Sequence, residues 1–139
     1  MLICPVSAEI IWKGKKSDDK KEMRKIHQTL PKRGKRIDLR IEITTNKRWK
    51  QIAEPVFGDE YLDYAGAYFI QRMEIYVRED ADEPVSTFVH EIGHHVYWQS
   101  LTNKEKDEWI KFWADHECCM PSEYATTNPS EGFAECYFQ

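Results

Sequence analysis

The sequence predicts an α+β domain, a small mixed sheet packed on one long helix with further helices toward the C-terminus. Three observations carry this expectation. Residues 37–44 alternate apolar and polar side chains with period two, residues 64–77 are rich in aromatic and β-branched side chains, and from Pro84 onward apolar residues recur at helical spacing. The chain of 139 residues has the length of a single domain, and its 41% hydrophobic and 13% aromatic content suffices for one buried core.

Local signals set the elements in order. Residues 3–12 are apolar and suit either a strand or an N-terminal arm. Ser17, Asp18 and Asp19 form an N-cap cluster, and Met23, Ile26 and Leu30 follow at helical spacing until Pro31 and Gly34 end the helix. Ile37, Leu39, Ile41 and Ile43 alternate with Asp38, Arg40, Glu42 and Thr44, the pattern of a half-buried strand. Residues 45–59 read as a mixed loop. The segment 64–77, with Gly66 inside it, reads as one or two strands with a hairpin turn near Gln71 and Arg72. After an acidic turn at 79–83, Pro84 takes the favoured first position of a helix reaching Gln99, whose buried stripe is Val85, Val89, Ile92 and Val96. Thr102 or Asn103 caps the next helix, which carries Trp109, Ile110, Phe112 and Trp113. Residues 118–128 form a loop, and Ser130 caps a last helix bearing Glu131 and Glu135.

Charge narrows the function classes. The formal net charge of −4 argues against a general nucleic-acid or membrane-surface binder. No run reaches the ~18–20 apolar residues of a membrane span. The start of the chain lacks a basic region, and Pro5 and Glu9 interrupt its apolar run, so no signal peptide is expected. Four cysteines, two of them adjacent at Cys118 and Cys119, do not make a disulfide framework and suit a reducing, cytoplasmic setting. The basic N-terminal segment, residues 1–36, concentrates an excess of eight positive charges in residues 13–36. A solvated helix and loop accounts for it. An arm for nucleic acid is the alternative, weakened because no aromatic residue interleaves with those lysines.

The chemistry lies in His90-Glu91-Ile92-Gly93-His94, an HExxH pattern inside the predicted Pro84–Gln99 helix. Residues four apart stack on one helix face, so His90 and His94 can present imidazole nitrogens to one metal ion. Glu91, about 100° further round the axis, can reach a water at that metal without occupying a ligand site. Gly93 costs a mid-helix position about 1 kcal/mol against Ala, so another element is expected to approach it closely. Tyr97 and Ser100 stand where an extended HExxHxxGxxH pattern would need Gly and His, which excludes that class. His95 is expected at the surface or behind a ligand, and His116, Cys118 and Cys119 are expected to be a loop with reduced thiols. Glu131 and Glu135, spaced i, i+4 and so facing one way, are the carboxylate candidates: one to bind the metal, the other to orient a ligating histidine.

At these residues the chain resembles the zincin domain of the anthrax-lethal-factor type and its phage and bacterial relatives. HEIGHH followed by YATTNPSEGFAE carries the resemblance, because a Tyr stands seven residues before a Glu and an FAE ending adds a second Glu four further on. It covers residues 84–139 well and the 61–77 strands loosely. The resemblance implies a zincin-like fold and a gluzincin-like zinc metallopeptidase acting on a peptide or protein. In it one Zn2+ sits on His90, His94 and Glu131, with Glu135 behind the ligands, Glu91 as the base and Tyr124 as a hydrogen-bond donor to the oxyanion. Two other readings use the same residues: a catalytically silent zinc-binding structural or interaction module, and a regulatory peptidase that cleaves a repressor. An intact Glu91 argues against the silent module, which has no need of a base.

Overall fold

The computed structural model describes residues 9–11, 17–28 and 39–137. In chain order these form β1 (Glu9–Ile11), α1 (Ser17–Gln28), β2 (Arg40–Thr44), α2 (Asn46–Phe57), β3 (Gly66–Phe69), β4 (Glu74–Arg78), α3 (Pro84–Gln99), α4 (Asn103–Asp115) and α5 (Pro129–Cys136). Four strands make one mixed sheet of order β1-β2-β4-β3. β1, β2 and β4 run parallel, and β3 pairs antiparallel with β4 at the edge. The α+β class and the mixed sheet agree with the sequence expectation. Ile37 and Asp38, most of the basic 1–36 segment, and Leu30 to Gly34 lie outside the described residues. Ser17–Gln28 is helical as expected, and its Met23 is fully buried in the core. No described helix is long and apolar enough to cross a membrane.

The sheet is covered on both faces. Ile41, Ile43, Ile75 and Val77 point one way and pack with Phe88, Ile92 and Val96 of α3 and with Met23 of α1. On the other face Ala67 and Tyr76 pack with Trp49 and Ala53 of α2. This second layer corrects the expectation of a mixed loop over residues 45–59. The segment is a helix, capped by the Thr45 hydroxyl accepting from the Arg48 amide at 3.2 Å and ended by Gly58 at φ 63°. Trp49, Ile52, Ala53 and Val56 recur at helical spacing, a period masked by Pro55 near the end. Its presence also changes β2 from half-buried to buried on both sides. Glu42 is inaccessible to solvent, its carboxylate held by Arg48 Nε at 3.2 Å, with Arg40 at 3.6 Å.

The hairpin forms as expected, with the turn at residues 70–73 and Met73 at φ 51°. α3 begins at Pro84, also as expected. Its buried stripe differs: Phe88, Ile92 and Val96 form the core line, Val85 packs at its edge, and Val89 is only half-buried outside that cluster. A helix held between a sheet and α5 is buried on more than one face, so a single apolar line under-describes it. α4 opens with a capping box, Thr102 and Glu105 exchanging hydrogen bonds with each other's backbone amides.

Gly93 has the close neighbour its sequence position requires. A Cβ there would lie 2.6 Å from Ala134 Cα and 3.0 Å from the Ala134 carbonyl oxygen, both in α5. Helix propensity favours Gly93→Ala by about 1 kcal/mol, whereas overpacking against backbone costs about 1–3 kcal/mol. Gly93→Ala is therefore expected to destabilise the protein by up to about 2 kcal/mol and to separate α3 from α5. Urea unfolding checks this, and a stabilised variant would contradict the packing.

Candidate metal centre and active site

α3 and α5 cross so that the HExxH face meets the first turns of α5. Asn128, not Ser130, caps α5: its side-chain oxygen accepts from the Glu131 amide at 2.9 Å, and Pro129 takes the first helical position. This moves Ser130 from the expected cap into the site. α5 is further placed by α4, whose Trp109 indole donates to the Pro129 carbonyl at 2.7 Å. The Trp113 indole donates to the Ala125 carbonyl at 2.9 Å, and its ring lies over Gly132, where a Cβ would come within 2.6 Å.

His90, His94 and Glu131 are brought together as a group able to hold a metal ion, with their ligand atoms within 4.8 Å of one another. His90 Nε2 lies 3.0 Å from Glu131 Oε2, His94 Nε2 lies 3.0 Å from Glu131 Oε1, and the two Nε2 atoms are 3.1 Å apart. Ligands on a tetrahedral ion with bonds of about 2.0 Å are separated by roughly 3.3 Å, so the donors stand at the spacing such an ion requires. The outer ring nitrogens are engaged elsewhere. His90 Nδ1 is 3.4 Å from Glu135 Oε2, and His94 Nδ1 is 2.9 Å from the Ser130 hydroxyl. Glu135 is itself anchored, accepting from the Ser122 hydroxyl at 3.0 Å. Outer partners of this kind fix ring orientation and turn Nε2 inward, so the donor set and its surroundings fit a metal ion. Of the two late glutamates, Glu131 faces both histidines and Glu135 stands behind one of them.

Glu91 is 7% exposed, and burial raises its pKa to about 7, opposed by His94 and His90 and assisted by Glu131. Burial would raise Glu131 as well, but hydrogen bonds and charge from His90 and His94 hold it down at about 2. His90 is raised: burial works against its charged form, and Glu131, Glu91 and Glu135 outweigh that. Tyr124 is half-exposed, with its ring 5.7 Å from the His90 ring. Burial first, then Glu131, then Glu91, push its hydroxyl pKa well up, so it stays protonated and can donate.

Two hollows flank the centre. One of about 340 Å³ is bordered by Glu91, His90, Tyr124 and Asp63, and the other, of about 540 Å³, by His94, Glu131, Ile70 and Trp98. Of the two places expected for His95, the surface and a position behind a ligand, the surface is excluded. The side chain is fully buried, turned away from the centre, with Nδ1 2.9 Å from the Tyr68 hydroxyl of β3. His116 does not join a metal cluster with Cys118 and Cys119: its Nδ1 bonds the Phe112 carbonyl at 2.8 Å, and both thiols are exposed and free. Ser130 and Ser122 were missed as site residues. The Asn-Pro pair at 128–129 was a readable cap signal that would have released Ser130, whereas Ser122 carried none. Comparison with protein families, curated proteins and solved structures finds no match to this chain.

The shift at Glu91 has a consequence for the metal-free protein. An acid with a raised folded-state pKa stabilises the fold fully below its ordinary value of 4.5, and that contribution is lost as pH rises toward 7. Metal-free wild type should therefore lose up to about 3 kcal/mol between pH 4.5 and 7 on this account. Metal-free Glu91→Gln should lack that decline and be the more stable protein at pH 8. Thermal unfolding of both in chelator across this range checks it, and parallel curves would contradict the burial of an ionisable Glu91.

Proposed function

We propose that the protein is a zinc-dependent metallopeptidase of zincin-like fold that hydrolyses peptide bonds in a peptide or protein substrate. The observation that carries this reading is the convergence of two Nε2 atoms and one carboxylate beside a buried, separately placed Glu91 at the floor of an open groove. Two imidazoles and one carboxylate are the donor set of a catalytic zinc, which keeps one position open. Bound there, zinc would supply Lewis-acid polarisation of a carbonyl and acidify a water.

The chain's own residues supply the rest. Glu91, its pKa near 7, is poised to take a proton from the attacking water and to return it to the departing amine. The same burial that raises its pKa makes it a stronger base than a solvated carboxylate. Tyr124, kept protonated, donates to the oxygen on which negative charge develops; losing one such donor typically costs ~3 kcal/mol of barrier. Glu135 and Ser130 hold the histidine rings, and Ser122 holds Glu135. Among the described residues β3 pairs with a strand on one side only, and its other side offers backbone groups to an extended substrate.

Glu91→Gln should keep fold and zinc while losing at least about a hundredfold in turnover, because the amide cannot accept the water's proton. Zinc content and cleavage of a proteome-derived peptide pool, measured side by side, test this. A zinc-loaded Glu91→Gln protein that retains most of the wild-type rate would reject the reading.

The two late glutamates separate by titration of zinc into the metal-free variants. Glu131→Ala leaves two protein ligands and should abolish tight binding. Glu135→Ala should weaken it about 10–100-fold, the range for a partner acting through a ligand. The reverse order would exchange their roles.

A further inference from the structure

Resting on the peptidase reading and going beyond it, we infer that the protein selects substrates with a large apolar side chain on the amino-terminal side of the bond to be cut. That side chain is held in the hollow walled by Ile70, Trp98 and Ile110. Three separate elements deliver these residues: the turn after β3, the end of α3, and α4. They remain 43%, 40% and 41% exposed, three of the eight large hydrophobic residues left exposed among those described. Single exposed apolar residues are ordinary, but three gathered around a hollow of about 540 Å³ that also touches His94 and Glu131 make a binding surface. No lysine or arginine borders it. The hollow on the opposite side is bordered instead by Asp63, Ser86, Thr87 and Glu135, so the groove is chemically lopsided.

The sheet edge sets the direction. β3 has a strand partner on one side only among the described residues. Residues 66 and 68 share one side of the extended chain, and Ile70 opens the turn just beyond it. Gly66 borders the polar hollow, while Tyr68 and Ile70 border the apolar one. An extended peptide joining this edge in the better-bonded antiparallel sense runs against β3, from Ile70 toward Gly66. Its amino-terminal residues then lie over the apolar hollow and its carboxy-terminal residues over the polar one, with the three metal-binding side chains between.

The test presents one randomised octapeptide pool to two zinc-loaded proteins. Wild type reports its cut sites by mass spectrometry, and Glu91→Gln reports the peptides it retains. Expected is enrichment of Leu, Met, Phe or Trp at a position amino-terminal to the cut, the same residues being enriched among retained peptides. Ile110→Asp and, separately, Ile70→Asp should reduce that enrichment about tenfold or more while leaving preferences beyond the cut unchanged. Retention with this enrichment, lost in the Asp variants but without cleavage by wild type, would support the apolar site and overturn the peptidase reading. Cleavage without amino-terminal apolar preference, or a preference both Asp variants keep, would overturn the inference and leave the peptidase reading standing. Neither retention nor cleavage would overturn both.

Discussion

The approach of α3 to α5 at Gly93 and Ala134 is the constraint on which the centre depends. Only a residue without Cβ lets the α5 backbone come so near, since an added methyl group would sit 2.6 Å from Ala134 Cα. Ala134 is three residues from Glu131 and adjacent to Glu135, so the contact that seats Ala134 also sets how far both carboxylates stand from the histidine rings. α5 has eight residues, too few to be stable alone. Its position is a property of tertiary packing: Gly93 beneath it, the Trp109 and Trp113 indoles bonding its start and the preceding loop, and Gly132 making room for the Trp113 ring.

That packing also sorts two chemically identical carboxyls into different roles. Glu131 meets both imidazoles and is held at about 2, a permanent anion suited to a cation. Glu91, one residue after His90 on the same helix, is buried without such a partner, and desolvation raises it to about 7. Environments that drive like groups apart in this way leave one carboxyl charged and bring another close to neutrality within one site. Three carboxylates face two imidazoles here, and the hydrogen bonds of the outer ring nitrogens leave the inward nitrogens and Glu131 pointing at one another. A positive ion held at their meeting point would balance the negative excess.

Much of this was legible in the sequence, because the informative features were local. The i, i+4 histidines, the glutamate pair in α5, the hairpin between β3 and β4, and the proline at the start of α3 each follow from spacing within one element. The cost of a mid-helix glycine even points to a close neighbour at Gly93, though not to α5 or Ala134 as that neighbour. What escaped was decided by tertiary partners. The sequence of α2 reads as loop because polar residues and Pro55 obscure a period that only the second face of the sheet makes worthwhile. Glu42 looked like an exposed strand position, yet it is buried because Arg48 of that unrecognised helix reaches its carboxylate. Ser130 looked like a cap, since Ser is a favoured one. Asn128 followed by Pro129 competes for the same task and prevails, freeing the hydroxyl for His94.

His95 shows how little sequence separation divides structural from chemical duty. His94 and His95 are consecutive on α3, about 100° apart around the axis. The first turns toward Glu131 and the second toward the sheet, where the Tyr68 hydroxyl meets it at 2.9 Å. Two further ties join α3 to the same strand: Gln99 donates to the Ile70 carbonyl at 3.3 Å, and Gly66 leaves space for Thr87, whose methyl carbon an added Cβ would meet at 2.7 Å. The edge of β3 is thus fastened to the helix at its start, middle and end. The same helix thus carries the imidazole nitrogens that face Glu131 and holds the strand edge beside them. The hollows beside the centre take their remaining walls from elsewhere, Ile110 and residues 128–131 for the larger and Asp63, Tyr64 and Tyr124 for the smaller, so α3 and β3 supply the fixed part of a site that α4, α5 and the loops complete.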